Sequence, residues 1–336
     1  MLSCAHIFRE MEKSFDVLST SIRDFPERHQ SMRAVFEHSW NLLSDEERRA
    51  SRWLSVCRNG FRKHVAERMA GASLGLLSSL ADKSFLRWEL SGRFQMHELL
   101  RHYAEEKLKN NPDESARALE LHCDTYAEFI KYRENALKGG RQKEALEEIA
   151  EEIENVRLGW RRAIEQARQD AIANFIEGLY LYYDMRSWFL EGVEAFDQAT
   201  QKLECLNANS PQTDLNLAKV IARQARFCQR LARHDRAKEL FQKGLVLARQ
   251  RGARDEIAFC LNFLGDLYRF QGDLTPAAQM IEESHSIACD LDDEFAIARS
   301  LNALGIVVSV RGQYADAKRY YEECLAIHQR RGDRRN

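Results

Sequence analysis

The stretch FCLNFLGDLYRFQGDLTPAAQMIEESHSI, residues 259–287, decides the fold, because its pattern returns 40 residues later as RSLNALGIVVSVRGQYADAKRYYEECLAI, residues 299–327. Leu261, Leu264, Gly265, Gly272, Ala277, Glu282 and Ile287 fall on Leu301, Leu304, Gly305, Gly312, Ala317, Glu322 and Ile327. One period earlier a more divergent copy places Ala225, Ala237, Phe241, Gly244 and Leu247 in the same columns, and SWFLEGVEAFDQATQKL from Ser187 reads as the second helix of a still earlier copy. A fixed period of this length marks units that stack because none can bury its apolar face alone.

Each copy reads as two antiparallel helices. Leu261, Leu264 and Tyr268 recur at spacings of three and four, which puts them on one helical face. Gly265 and Gly305 beside that ridge let a neighbouring helix approach closely, with Ala277 as its small contact and Ile281 or Tyr321 as the large one. The break falls at Gln271-Gly272-Asp273, after which Thr275 is positioned to cap a helix with Pro276 at its first position. Pro112 and Pro211 likewise read as helix starts. The chain is therefore expected to be mainly α.

These columns resemble the tetratricopeptide repeat, from about Leu215 onward. The 40-residue period departs from the usual length of about 34, and it fits the longer-helix variant of large bacterial signalling proteins. The proline that commonly closes the second helix is also absent. An armadillo or HEAT array shares the period, but the Leu-Gly and Ala columns favour the tetratricopeptide reading. First helices of such arrays line a groove, so Arg226, Arg230, Asn262, Asp266, Arg269 and Asn302 are the candidate contacts for a protein or peptide ligand. A solvated helix face is the plain alternative for each. The last repeat ends without a polar cap, which leaves Val307, Tyr320 and Leu325 as an apolar edge open to self-association.

The N-terminal part has another pattern. SMRAVFEHSWNLLS carries Val35, Phe36, Trp40 and Leu43 on one side of a helix, and Ser44 with Glu47 forms a capping box for the next. RKHVAERMA and ASLGLLSSLADKS are further helices. Short strands at Phe85–Glu89 and Arg93–Met96 flank a Leu-Ser-Gly turn, and MHELLRHYAEEKL closes the unit. Helices followed by a hairpin describe a winged helix. The expected organisation is a leader helix over 1–30, a winged helix over 31–110, a helical linker over 111–174 and a repeat array over 175–336.

PERHQSMRAVFEHSWNLLSDEE, GASLGLLSSLADKSFL and GRFQMHELLRHYAEEKL look like the winged-helix segment of bacterial STAND proteins of the NB-ARC type. EEIENVRLGWRRAIEQ, residues 151–166, is similar to their lead-in to the repeats. Met96-His97-Glu98 falls where that family carries a Met-His-Asp type motif. The resemblance implies that His97 senses the phosphates of bound ADP, with Glu98 in place of the commoner aspartate. It also implies a signalling or transcriptional regulator with an ATPase switch. Yet the chain contains no GxxxxGK[ST] phosphate cradle, so no nucleotide cofactor is expected on this chain alone. ADP or ATP would enter only through a separate P-loop NTPase domain as partner, and the chain by itself is expected to be a non-enzymatic scaffold. The plain alternative for His97 is a first-turn residue packed under the hairpin.

Two other chemistries fit poorly. HELLRH has one residue too many for a zinc-protease motif: at five residues' separation His97 and His102 lie about 140° apart around a helix, against about 40° for an i, i+4 pair. No metal site is expected. A DNA-binding winged-helix transcription factor is the rival class, but the helix ASLGLLSSLADKS offers Leu74, Leu76, Leu77 and Leu80 where base-reading polar side chains would be needed. Those leucines are expected to be buried; Arg87, Trp88 and Arg93 of the wing would reach phosphates at most. A net charge of −2 gives no general attraction to nucleic acid or membranes. The eight cysteines include no CxxC pair and sit in helical patterns, which points to a reducing, cytoplasmic compartment.

Overall fold

The computed structural model describes residues 32–206 and 210–332. The expected leader helix over residues 1–30 lies outside the described residues. The chain divides into two compact units, residues 1–125 and 126–336.

The first unit runs α1 (Met32–Asn41), α2 (Asp45–Leu54), β1 (Phe61–Arg62), α3 (Lys63–Ala70), α4 (Leu74–Asp82), β2 (Leu86–Trp88), β3 (Arg93–Met96), α5 (Glu98–Lys109), then the start of α6 (Pro112–Leu137). The capping box opens α2 as expected: Glu47 N–H donates to the Ser44 hydroxyl, and the Glu47 carboxylate accepts from Ser44 N–H. The expected hairpin forms, with Leu86 opposite Met96 and Trp88 opposite Phe94. A third strand joins it: β1 pairs with β3, giving the antiparallel order β1-β3-β2. Phe36, Trp40 and Tyr103 pack together in the core, and Phe61 stacks on Phe94 across the sheet. Leu77 and Leu80 of α4 are buried as expected, but Leu74 stands 51% exposed because it occupies the first position of the helix, outside the packed face. Arg93 is buried and donates to the Asn59 carbonyl, so it cannot serve as an exposed wing cation.

The second unit holds the rest of α6 and continues with α7 (Gln142–Glu165), α8 (Gln169–Met185), α9 (Phe189–Cys205), α10 (Pro211–Arg230), α11 (His234–Arg251), α12 (Arg254–Gln271), α13 (Leu274–Asp290), α14 (Glu294–Val310) and α15 (Tyr314–Arg331). From α8 onward the helices alternate as first and second members of four pairs. The close approach read from the sequence is present: a Cβ on Gly265 would stand 2.5 Å from Ile281 Cγ1, and one on Gly305 would stand 2.5 Å from Tyr321 Cε1. Between neighbouring pairs, Leu304 and Val307 of α14 pack on Ala277, Ala278 and Ile281 of α13.

A 20-residue half-period underlies the array. Left-handed backbone occurs at Ala232, Gly252, Gly272, Asp292, Gly312 and Gly332, each just after a helix. A left-handed residue turns the chain out of one helix so that the next can run back, and it strains any residue with a Cβ. Glycine occupies four of these six sites, which is why the period is legible in glycines.

Two local expectations need correction. Asp273, not Thr275, is the N-cap of α13, and Pro276 is the third helical residue. The proline is accommodated there because first-turn N–H groups have no acceptor within the helix. Val307 is fully buried rather than part of an open edge, since it points at α13; Leu325 is 46% exposed. The end of α15 also returns to the turn after α6, where Arg331 Nη2 donates to the Lys138 carbonyl at 2.7 Å. Among the described residues the cysteines form no disulfide, and no helix is long and apolar enough to cross a membrane.

Candidate functional site

The first helices of the pairs, with α6 alongside, share one wall of the second unit. A cavity of about 220 Å³ there is lined by Lys131, Glu177, Arg223, Glu256, Phe259 and Arg299, among others. Its floor is a chain of ion pairs. Lys138 lies 3.1 Å from Glu177, Glu177 accepts from Arg223 at 2.8 Å, and Arg223 reaches on to Glu256 at 2.7 Å. Lys219 lies 3.3 Å from Asp255. Arg223 and Glu256 are both buried, and the Arg223 guanidinium lies 3.8 Å from the Phe259 ring centre. Burial alone would raise the Glu177 carboxyl, but Arg223 and Lys138 more than offset that and hold it well below its usual range. Charged groups this deep persist when paired, so the turn after α6 and helices α8, α10 and α12 are tied together by complementary charge as well as by apolar packing.

One helical turn further along, the sequence-predicted residues form a second network. Arg226 lies over Phe263 and donates to Gln229 at 3.0 Å; Gln229 donates to Asp266 at 2.8 Å; Asp266 also accepts from Arg269 at 2.6 Å. Arg230 stands 3.6 Å from Asp184 and 4.6 Å from the Phe189 ring centre. Arg226, Asp266 and Arg269 are therefore linked across α10 and α12 through Gln229, while Arg230 is held separately against Asp184 of α8. The two asparagines are not alike. Asn302 is exposed, whereas Asn262 is 2% exposed and its buried Oδ1 has no hydrogen-bond partner. Asn262 cannot offer its side chain to a peptide, because neighbouring elements enclose it.

Glu177, Arg223, Glu256 and Arg299 escaped sequence reading. For Arg299 the available signal was the 40-residue column Lys219, Phe259, Arg299, where two of the three copies carry a long charged side chain. Cys260, fully buried beside this network, has its thiol pushed up by burial and is no nucleophile.

In the first unit His97 is the N-cap of α5. Its ring is exposed, and Nδ1 accepts from Leu99 N–H at 3.3 Å. The ring borders a cavity of about 430 Å³ that also touches Leu54, Phe61, Met96, Glu98 and Arg101. Arg101 is 3% exposed and is committed to Glu98, Glu105 and the Ser55 carbonyl, each within 3.0 Å. His102 pairs with Glu98 rather than with His97. Among the described residues no group of three His, Cys, Asp or Glu side chains could hold a metal ion.

Tetratricopeptide repeat families match residues 216–290 and 297–331, so this part of the chain is built of tetratricopeptide repeats. No curated protein matches the chain. Several solved structures are similar to the chain at low identity. BtubC from P. vanneervenii is 20% identical, with 52% of this chain and 72% of that one covered, at a TM-score of 0.42. A signal transduction ATPase with numerous domains (STAND) bearing a tetratricopeptide repeat sensor, from Pyrococcus horikoshii, is 16% identical at a TM-score of 0.37; 93% of this chain spans 55% of that protein. Aspartyl phosphate phosphatase F from Bacillus subtilis is 14% identical, with 87% and 77% covered and a TM-score of 0.45.

Proposed function

We propose that the chain is a non-enzymatic interaction scaffold whose repeats hold a segment of a partner protein. The observation that carries this is the wall of first helices. It presents Arg226, Arg230, Asp266 and Arg269 on a framework already rigid through the Arg223 ion pairs. Pre-positioned polar groups lose little freedom on binding, so they can read a polypeptide without a large ordering cost.

The finer reading is a STAND-type signalling or transcriptional regulator, with the first unit a winged helix that docks on a P-loop domain supplied separately. It rests on the resemblance of the motifs around Met96-His97-Glu98 and on their order along the chain. The exposed His97 ring supports it. With Nδ1 accepting from Leu99, Nε2 is the ring nitrogen left to donate to a phosphate oxygen of a nucleotide held by that partner.

The test is site-specific photocrosslinking in cells. Benzoylphenylalanine in place of Arg230 should give a discrete polypeptide adduct, and the same group in place of Val246, exposed on the second helix α11, should not. Equal adducts from both positions, or none from Arg230, would overturn the groove reading. Tight duplex-DNA binding with a steep salt dependence would favour the transcription-factor class instead.

A further inference from the structure

Within the second unit the end of α15 meets the turn after α6. Arg331 Nη2 donates to the Lys138 carbonyl at 2.7 Å, across 193 residues of chain. Beside that bond two glycines bring backbone against backbone. A Cβ on Gly140 would stand 3.1 Å from the Gly332 carbonyl oxygen, and one on Gly332 would stand 3.2 Å from Gly140 Cα. The Phe295 ring of α14 completes the joint, with Lys138 Nζ 5.7 Å and Arg331 Cζ 5.5 Å from its centre.

In a stack of helix pairs each pair touches its neighbours, and small rotations at the joints add up along the array. A contact between the two ends is a separate constraint, and it fixes how tightly the whole array is curled. The curl has a consequence for the first-helix wall. Lys131, Glu177, Arg223, Glu256 and Phe295, from α6, α8, α10, α12 and α14, all border one cavity of about 220 Å³. Even a small-molecule pocket is commonly about 300–1,000 Å³, so this end of the wall is too tightly closed to take a polypeptide segment.

The joint is built to part. Helices α6 and α15 do not pack along each other, and the glycines offer no side chain whose burial would hold them together. Lys138 and Arg331 are like charges against one ring. Each is balanced from its own side of the joint, Lys138 by Glu177 at 3.1 Å and Arg331 by Glu294 at 3.9 Å. Separation therefore breaks neither ion pair.

We propose that the turn after α6 and the end of α15 form a latch that holds the array curled, and that its release opens the first-helix wall to a polypeptide. A ligand that fits only the open form draws the latch open by shifting the balance between the two forms. This rests on the groove reading above and adds its gate.

The test measures the separation of α6 and α15 in the full chain by double electron–electron resonance. Nitroxides are carried on p-acetylphenylalanine in place of Tyr132 and Tyr314, both exposed, so the cysteines stay native. The chain without further change should give one narrow distance. Arg331→Ala removes the hydrogen bond from one side, and Gly140→Val wedges the backbones apart from the other; each should add a longer distance. In both variants benzoylphenylalanine at position 230 should give about 3- to 10-fold more polypeptide adduct in cells, the range expected for loss of one hydrogen bond. Arg330→Ala, whose partner Glu294 lies on its own side of the joint, should change neither reading. An unchanged distance in both variants would overturn the latch, as would a parent chain that already shows the long distance as fully as they do. Longer distances with no gain in adduct would overturn the gate. Longer distances with no adduct from any chain would sink the groove reading while supporting the latch.

Discussion

Gly265 faces Ile281 so closely that a single added carbon at Gly265 would stand 2.5 Å from Ile281 Cγ1 and 2.9 Å from the Ala277 carbonyl oxygen. The carbonyl belongs to helix backbone and cannot rotate away. Gly265→Ala should therefore destabilise the repeat unit by about 1–3 kcal/mol, the usual cost of overpacking, even though alanine is the better helix former. Urea denaturation measures it. Adding Ile281→Ala should restore only part of the loss, since the carbonyl clash remains.

Arg223 bridges Glu177 and Glu256, and Glu256 is 2% exposed. Arg223→Ala leaves the buried Glu256 with only Lys219, 3.8 Å away, so the repeat unit should lose up to about 3–5 kcal/mol. Arg223→Met combined with Glu256→Gln should lose much less, because neither partner then carries a stranded charge. Chemical denaturation of the three proteins side by side decides the point.

The first unit should be acid-sensitive through Glu47. Burial would raise this carboxyl, but hydrogen bonds from Lys83, Ser79 and the Ser44 backbone bring it from 4.5 down to about 2. A carboxyl lowered by folding contributes stability that is complete above the unfolded value and is lost as pH falls through the folded one. Protection factors of the α2 amides should thus fall between about pH 4.5 and pH 2, with about 3 kcal/mol at stake. Glu47→Gln should flatten that dependence and lower stability at neutral pH.

Ala232 holds a left-handed conformation with φ of 57° at a site where the same turn elsewhere carries glycine. Ala232→Gly relieves the Cβ strain and should raise the thermal midpoint of the repeat unit, by about 0.5–1 kcal/mol in stability. Asp292→Gly, at φ of 52°, should gain less, because aspartate tolerates this region better than alanine.

His97→Ala should cost no more than about 1 kcal/mol, the usual worth of an N-cap, since the ring is exposed and its one described hydrogen bond is to Leu99 N–H. A larger loss in denaturation would place the ring in the core instead.

Much of the repeat architecture was legible in the chain itself. The Leu-Gly columns, the small residue at Ala277 and the large one at Ile281 encode helix contacts that recur every 40 residues, and such contacts are local. The capping box at Ser44 and Glu47 is local too, closed by residues three apart. What escaped reading depends on partners distant in sequence. The two-residue strand β1 exists only because Phe61 and Arg62 find β3, more than thirty residues on. Asn262 and Asn302 share a column yet differ in burial, because a side chain's access to water is set by the elements around it. Arg223 and Arg299 are both arginines on first helices; among the described residues one has a carboxylate within ion-pair distance and the other does not. Periodicity determined which helices stack and where they turn. Only the tertiary structure decided which charges meet, because an ion pair needs two groups within about 4 Å and the sequence orders those groups without bringing them together.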